Sequence, residues 1–257
     1  MTETALITGA STGIGYELAK LFAQDRSNLV LIARNKSALD QLAAELSSKH
    51  GITVTVIPKD LAQHSSYEEI LSELREKKIQ VDVLVNNAGL GFHRPFIETD
   101  LSAIQEMMQV NMVALTHLTR QLLPPMIEKR KGIICNVAST AAFQPGPLMA
   151  VYYATKAYVL WLSEAIANEL EGTGVSVTAI CPGPTTTEFQ KRAGMQRSKL
   201  LDRVMDAASV AEIGYKGMRK GKTIVITGMR NKLLAQSVRL GPRKMVTQIV
   251  RKLQENR

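Results

Sequence analysis

Tyr152 and Lys156 stand four residues apart in the stretch Tyr152-Tyr153-Ala154-Thr155-Lys156. In a helix that spacing is one turn, so phenol and ammonium share a face. Such a pair can move a proton. An ordinary tyrosine, with a pKa of about 10, ionises reluctantly at neutral pH, and a nearby ammonium favours its phenolate. In a chain with six tyrosines the spacing can arise by chance. It gains weight from Ser139, which ends a strand-like run 13 residues earlier, and from Asn111 in the preceding helical stretch. Each has a plainer reading: Ser139 as a strand-end hydroxyl satisfied by backbone, Asn111 as a local helix kink.

A second group lies at the start of the chain, where Thr8-Gly9-Ala10-Ser11-Thr12-Gly13-Ile14-Gly15 sits between a strand-like and a helix-like segment. Gly9 permits a sharp exit from the strand. Gly13 removes a side chain where a pyrophosphate must approach backbone, and Gly15 lets the helix pack close to the sheet. The helix N-terminus offers free N–H groups and the positive end of its dipole to an anion. Strand before and helix after favour a dinucleotide site over a mere turn. The second strand then ends in Ala33-Arg34-Asn35, without the acid that commonly holds the ribose 2′-OH of NAD. Arg34 can instead make charge-assisted hydrogen bonds to a 2′-phosphate, so NADP(H) is expected over NAD(H). Asp60, after the third strand, could accept from an adenine amino group or cap the next helix.

These residues need a scaffold, and the pattern supplies one. Apolar runs at Thr4–Thr8, Asn28–Ala33, Thr53–Ile57, Val81–Val85, Gly132–Val137, Val175–Ile180 and Thr223–Thr227 alternate with helical periodicity at Ile14–Gln24, Lys36–Lys49, Ser65–Lys78, Leu101–Pro124 and Tyr153–Leu170. Strands apolar on both faces belong between two helix layers. The expected fold is α/β: a doubly wound, Rossmann-type parallel sheet of about seven strands in a single domain over residues 1–228. Residues 183–207 are the least regular part. Residues 229–257 read as a basic amphipathic C-terminal extension.

Composition narrows the classes. With 45% hydrophobic residues the chain of 257 can bury a sizeable core, while 5% aromatics suits a single-strand nucleic-acid binder poorly. Cys135 and Cys181 read as small buried hydrophobes, and the four scattered histidines match no metal spacing, so no metal is expected. Met1–Glu3 lead straight into a strand with no signal-like segment, and no apolar run nears the ~18 residues of a spanning helix. A cytoplasmic protein is expected. The net charge of +9 is local: from Lys216 to Arg257 there are 12 Lys and Arg against Glu255 alone, whereas the first 215 residues carry 20 basic and 22 acidic side chains. The basic character thus belongs to the tail.

TGASTGIG at the first turn, NNAG at Asn86–Gly89, Asn111, Ser139, YYATK and Pro182-Gly183 follow one another in the order and spacing of the short-chain dehydrogenase/reductase family, which the chain resembles over roughly residues 4–228. The family's spacing selects Tyr152 over Tyr153, since Lys156 lies only three residues after the latter. The resemblance implies a hydride exchange between a nicotinamide dinucleotide and a carbonyl or secondary alcohol. It implies Tyr152 as proton donor or acceptor and Lys156 as its charged neighbour and ribose ligand. Ser139 would hold the substrate oxygen, and Asn111 would orient a water in a proton relay. Ser11, Thr12 and Ile14 would share the phosphate loop with Gly9, Gly13 and Gly15; Asn87 and Gly89 would line the nicotinamide side. Thr185 and Thr187 would bind the carboxamide. It also implies a homodimer or homotetramer.

Substrate is written less sharply. Phe92, Met149, Phe189 and Met195 could furnish an apolar pocket, and Lys191, Arg192 and Arg197 could attract an acidic substrate such as an acyl thioester or simply be solvated. A carbonyl reductase acting on an apolar ketone or 3-oxoacyl group is the expectation; a dinucleotide-binding sensor or scaffold without turnover is the alternative. In the tail, Met245, Val246, Ile249, Val250 and Leu253 form one helical stripe, with Arg243, Lys244, Arg251 and Lys252 largely off it. That helix could pack on its own domain or a second subunit, or rest on an anionic membrane surface. No nucleic-acid recognition motif accompanies the charge.

Overall fold

A computed structural model describes residues 2–195 and 204–255. The strands are β1 (Thr4–Thr8), β2 (Asn28–Ala33), β3 (Val54–Pro58), β4 (Val83–Asn86), β5 (Gly132–Val137), β6 (Val175–Cys181), β7 (Thr185–Thr186), β8 (Met205–Asp206) and β9 (Ile224–Ile226). Seven of them form one sheet in the order β3-β2-β1-β4-β5-β6-β9, parallel throughout. β7 and β8 make a separate two-stranded pair. The expected doubly wound sheet is therefore present. The chain order reverses between β1 and β4, and their C-terminal ends open the crevice in which such sheets place ligands.

The helices are α1 (Gly13–Gln24), α2 (Lys36–His50), α3 (Ser66–Glu76), α4 (Leu101–Met108), α5 (Leu115–Glu128), α6 (Ala150–Glu169), α7 (Glu188–Ala193), α8 (Ala207–Arg219), α9 (Met229–Ser237) and α10 (Arg243–Gln254). Leu18 and Phe22 of α1 and Leu39, Leu42 and Leu46 of α2 pack with Tyr215 and Met218 of α8 on one face of the sheet. Ile70 and Leu74 of α3 join Leu118, Leu122 and Met126 of α5 on the other. Strands buried on both faces are apolar at most positions, which is why they are readable as short continuous runs.

Three segments depart from the sequence reading. The expected helix Leu101–Pro124 is α4 and α5 joined by a π-helical turn, Gln109–Ala114, and it runs through Pro124 and Pro125 to Glu128. Helix α6 begins at Ala150, three residues before Tyr153, so Tyr152 lies inside its first turn. Helix α8 has no counterpart in the sequence reading. It packs closely: a Cβ at Gly214 would lie 2.5 Å from Ile180 Cδ1, and one at Gly217 would strike Val225. The glycines lie on the buried face with Val210, Ala211, Tyr215 and Met218 and let α8 press onto β6 and β9.

Candidate active site

The first turn is built by backbone constraint. Gly9 and Gly13 have φ of +66° and +61°, a region that side chains disfavour. A Cβ on Gly15 would collide with Asn87 Nδ2 and with the Gly9 carbonyl. Asn87 closes the turn, its side chain donating to the carbonyls of Thr8 (2.9 Å) and Gly9 (3.1 Å). Thr8 Oγ1 in turn accepts from the backbone N–H groups of Asn87 and Ala88, both at 3.0 Å. The ends of β1 and β4 are thus tied together beneath the turn. Asn87, expected to line the nicotinamide side, fastens the glycine turn.

Asn35 caps α2, its Oδ1 accepting from Ala38 N–H at 3.1 Å, and so fixes the preceding Arg34 at the end of β2. The half-exposed Arg34 guanidinium lies 3.8 Å from Asp60 Oδ2 and 3.8 Å from Glu106 Oε1. Asp60 Oδ1 accepts from Ala62 N–H at 3.1 Å. Neither arginine contact is tight, and at such exposure each is worth little, so the guanidinium can turn to a stronger anion.

Ser139 follows β5 with extended backbone and starts a short 3₁₀ turn, its Oγ accepting from Ala141 N–H at 3.1 Å. Its hydroxyl donates to the Pro182 carbonyl at 3.4 Å and stands beside the Tyr152 phenol. The expected backbone satisfaction of Ser139 and its contact with Tyr152 therefore coexist. Burial pushes the Tyr152 phenol up to about 12, with the neighbouring Ser139 hydroxyl pulling the other way. Lys156 is buried and donates from Nζ to the Val137 carbonyl at 2.7 Å, and burial draws its pKa down to about 8. Its Nζ lies 5.8 Å from the Tyr152 ring centroid. The sequence argument, in which the lysine eases ionisation, meets a larger opposing effect: removal from water disfavours both charged forms. The phenol is left protonated, the form that can donate.

Asn111 occupies the π-helical turn. Its Nδ2 donates to Leu90 O (2.9 Å) and Thr155 Oγ1 (3.0 Å), and its Oδ1 accepts from Leu90 N–H (2.8 Å). Thr155 Oγ1 donates to the Tyr152 carbonyl at 2.8 Å. The kink and the polar contact are one feature: the extra residue per turn delivers Asn111 to the loop after β4 and to α6. At Gly89 a Cβ would stand 3.4 Å from Lys156 Nζ and 3.5 Å from Asn111 Oδ1, so the loop backbone runs beside both. A buried chain, Thr119–Asn86–Asn136–Ser163, fixes α6 against the sheet through bonds of 2.9–3.0 Å.

Beyond β6, Thr185 Oγ1 donates to Gly183 O at 2.8 Å, and Thr187 caps α7 by accepting from Phe189 N–H at 3.3 Å. Thr187 Cγ2 faces Gly13 across the crevice, 3.1 Å from where a Cβ would stand. Phe189 packs on Tyr152 with ring centroids 5.3 Å apart. Among the described residues, one cavity of about 780 Å³ is lined by every site residue named from the sequence except Gly15 and Asn111, which lie behind its wall, and Lys191. Ser11, Thr12 and Ile14 line the end at the glycine turn; Phe92, Met149 and Phe189 line the end beyond Tyr152. Arg197 falls outside the described residues. Glycines at the turn clear the space a pyrophosphate needs, so the residues fit a dinucleotide.

The sequence reading missed the far wall. Leu234, Val238, Val246, Ile249, Val250 and Leu253 also line the cavity. Val246 and Val250 are packed in a buried cluster with Met149, Tyr153 and Met195. Gln254, fully buried, donates from Nε2 to the Tyr153 hydroxyl at 2.7 Å, and its carbonyl lies 2.7 Å from His93 Nε2. Tyr153 is thus a structural partner of the C-terminal helix. The signal was present in the apolar stripe of α10, but a stripe alone does not say what covers it.

Comparison with known proteins agrees with this geometry. The family model for short chain dehydrogenase matches residues 3–198. A very-long-chain 3-oxoacyl-CoA reductase of Anas platyrhynchos is 32% identical over 222 residues, covering 84% of this chain and 70% of that protein. A ketoacyl reductase of Nostoc is 31% identical, over 87% of this chain and 78% of that one. Among solved structures, a short-chain dehydrogenase from Sphingobium yanoikuyae in complex with NADPH superposes with a TM-score of 0.84 at 32% identity, covering 98% of each chain. A bulky-bulky ketone specific alcohol dehydrogenase from Comamonas testosteroni gives 0.79 at 32% identity, covering 97% of this chain and 95% of that one. The chain belongs to the short-chain dehydrogenase family and is an oxidoreductase acting on CH–OH groups with a nicotinamide dinucleotide.

Proposed function

We propose that the protein is an NADP(H)-dependent carbonyl reductase for apolar ketones or 3-oxoacyl groups. The observation that carries this reading is the continuity of the cavity. It runs from Arg34 and the glycine turn, past Ser139, Tyr152 and Lys156, to an apolar end walled by Met149, Phe189, Val246 and Val250. A cofactor laid from Arg34 towards Tyr152 leaves the apolar end for substrate. The relatives' names, a 3-oxoacyl-CoA reductase and a bulky ketone dehydrogenase, favour the same chemistry, as does the NADPH in the Sphingobium structure.

The cofactor when bound supplies the hydride; the chain's residues supply the rest. Ser139 holds the carbonyl oxygen. Tyr152, protonated at neutral pH and held more firmly so by desolvation, gives that oxygen its proton. Lys156 orients the cofactor ribose and, when charged, makes proton release from the phenol easier. Asn111 fixes the loop and helix that flank the lysine and orients a water for proton resupply. Asn87 and Gly89 border the nicotinamide, and Thr185 and Thr187 hold its carboxamide. Arg34 binds the 2′-phosphate, and Asp60 accepts from adenine. The active form is a homodimer or homotetramer. A sensor without turnover would have no need of Asn111, Ser139, Tyr152 and Lys156 together.

The test is a ketone panel with NADPH. Medium and long apolar ketones should be reduced and small polar ones poorly. No reduction of any member by a preparation that binds NADPH would overturn the assignment. Arg34→Asp should lower the NADPH-to-NADH preference by tenfold or more, about the worth of one charge-assisted contact; an unchanged ratio would remove Arg34 from cofactor selection.

A further inference from the structure

Helices α9 and α10 have two sides. Their inner residues close the apolar end of the cavity, yet Leu234, Met245, Ile249 and Leu253 line the cavity while remaining 42–52% exposed. They therefore sit at its mouth, where it meets solvent. Around them lie apolar side chains that touch none of it. Met229 and Leu233, one helical turn apart on α9, are 73% and 66% exposed, and Leu240, in the turn before α10, is 89% exposed. Isolated exposed hydrophobes are ordinary, but this many around one opening are not. Exposed cations are interleaved with them: Arg230, Lys232, Arg239, Arg243, Lys244 and Lys252. Between residues 229 and 257 the sole acid is Glu255, which pairs with Arg251 at 3.2 Å.

We propose that this face is a docking surface for an anionic lipid bilayer, placing the cavity mouth against the membrane so that apolar substrate enters from lipid. This rests on the apolar-carbonyl reading of the cavity. Charge argues for the occupant. A second copy of the chain would present the same cations and repel across a two-fold contact, whereas anionic headgroups neutralise them. The shape also fits, because short amphipathic helices bind in the interface plane with apolar side chains below the headgroups and Lys and Arg beside them. Among the described residues no helix is long and apolar enough to cross a membrane, so the contact is peripheral.

The experiment is flotation of the full chain with phosphatidylcholine vesicles and with vesicles containing equal parts of phosphatidylglycerol. The variants are Lys232→Glu with Arg239→Glu, and Leu233→Gln with Leu240→Gln; none of these four residues lines the cavity. The wild type should float with anionic vesicles and be released by salt. The charge variant should partition at least about 25-fold less, at roughly fivefold per cation near the surface, and the leucine variant should also lose binding. Reduction of a water-soluble ketone should be unchanged in both, while reduction of a vesicle-partitioned ketone should fall. The proposal is overturned if the wild type stays unbound or binds both vesicles alike, if the variants float as well as it does, or if light scattering shows that the leucine variant has lost a dimer contact instead. Loss of soluble-ketone reduction in the wild type would sink the enzymatic reading without touching the docking surface.

Discussion

The wall of the cavity beneath the glycine turn and the wall made by α9 and α10 face the same space but are held differently. On the first side, Thr8, Asn87, Asn111, Thr155 and Lys156 are joined by backbone and side-chain hydrogen bonds, nearly all at 2.7–3.1 Å, and Gly9 and Gly15 admit no side chain. On the second, Val246 and Val250 contribute apolar contact, and the polar ties shown for α10 to the rest of the chain pass through Gln254. Directional bonds fix atoms to fractions of an ångström, as proton and hydride transfer require. Apolar contact tolerates change in volume and shape, as a substrate pocket requires. Chemistry and selectivity are therefore assigned to opposite walls.

The comparison can be broken by substitution on each side. Lys156→Ala should reduce turnover by about 10²–10⁴-fold, the usual worth of a positioned acid–base group, measured as kcat at saturating NADPH. The same residue gives a pH signature. Burial holds it near 8, so it is charged below that pH and neutral above. Carbonyl reduction should therefore fall along an alkaline limb centred near pH 8, and the limb should be absent from the residual activity of the alanine variant. The linked stability has a definite sign. An unfolded chain keeps this proton up to about 10.5, so unfolding takes up a proton between about 8 and 10.5, and this lysine's penalty to folding shrinks as pH rises through that window. A limb that persists in the variant would assign it to another group.

Next in size is Gly15→Ala, whose Cβ would press on Asn87 and the Gly9 carbonyl. Cofactor affinity, read by fluorescence titration, should fall at least about tenfold, since misplacing the loop costs more than one of its hydrogen bonds. Smallest is Val246→Ala with Val250→Ala on the opposite wall. KM for a bulky ketone should rise roughly 10-fold, about 0.7 kcal/mol from the methyls lost at each residue, with kcat for a small ketone retained. A fall in kcat alone would erase the division between the walls.

What could be read from the sequence follows the same division. Backbone-dictated features leave residue-type signatures at fixed spacing: Gly9, Gly13 and Gly15 at a turn, Ser139 at a strand end, Tyr152 and Lys156 one turn apart. Those residues do converge on one cavity and its wall. The π-helical turn at Asn111 was legible only as the plainer of two readings, a local kink, because one extra residue in a turn changes the local period without changing composition. Helix α8 was legible in its own spacing, Val210, Ala211, Tyr215 and Met218 on one face, and was not read. The C-terminal wall was legible as a stripe and not as a wall, since Val246 and Gln254 find their partners, Tyr153 and Met149, about 100 residues earlier in the chain.

The central claim, that Tyr152 donates the proton and its neighbour does not, is tested most directly by comparing Tyr152→Phe with Tyr153→Phe in single-turnover reduction, with NADPH binding measured in parallel. Both variants should bind NADPH. Tyr152→Phe should lose hydride transfer by about 10²-fold or more, and Tyr153→Phe, which forfeits only the Gln254 hydrogen bond, should stay within about tenfold of wild type. Comparable losses in the two variants, or turnover surviving in Tyr152→Phe, would contradict the account.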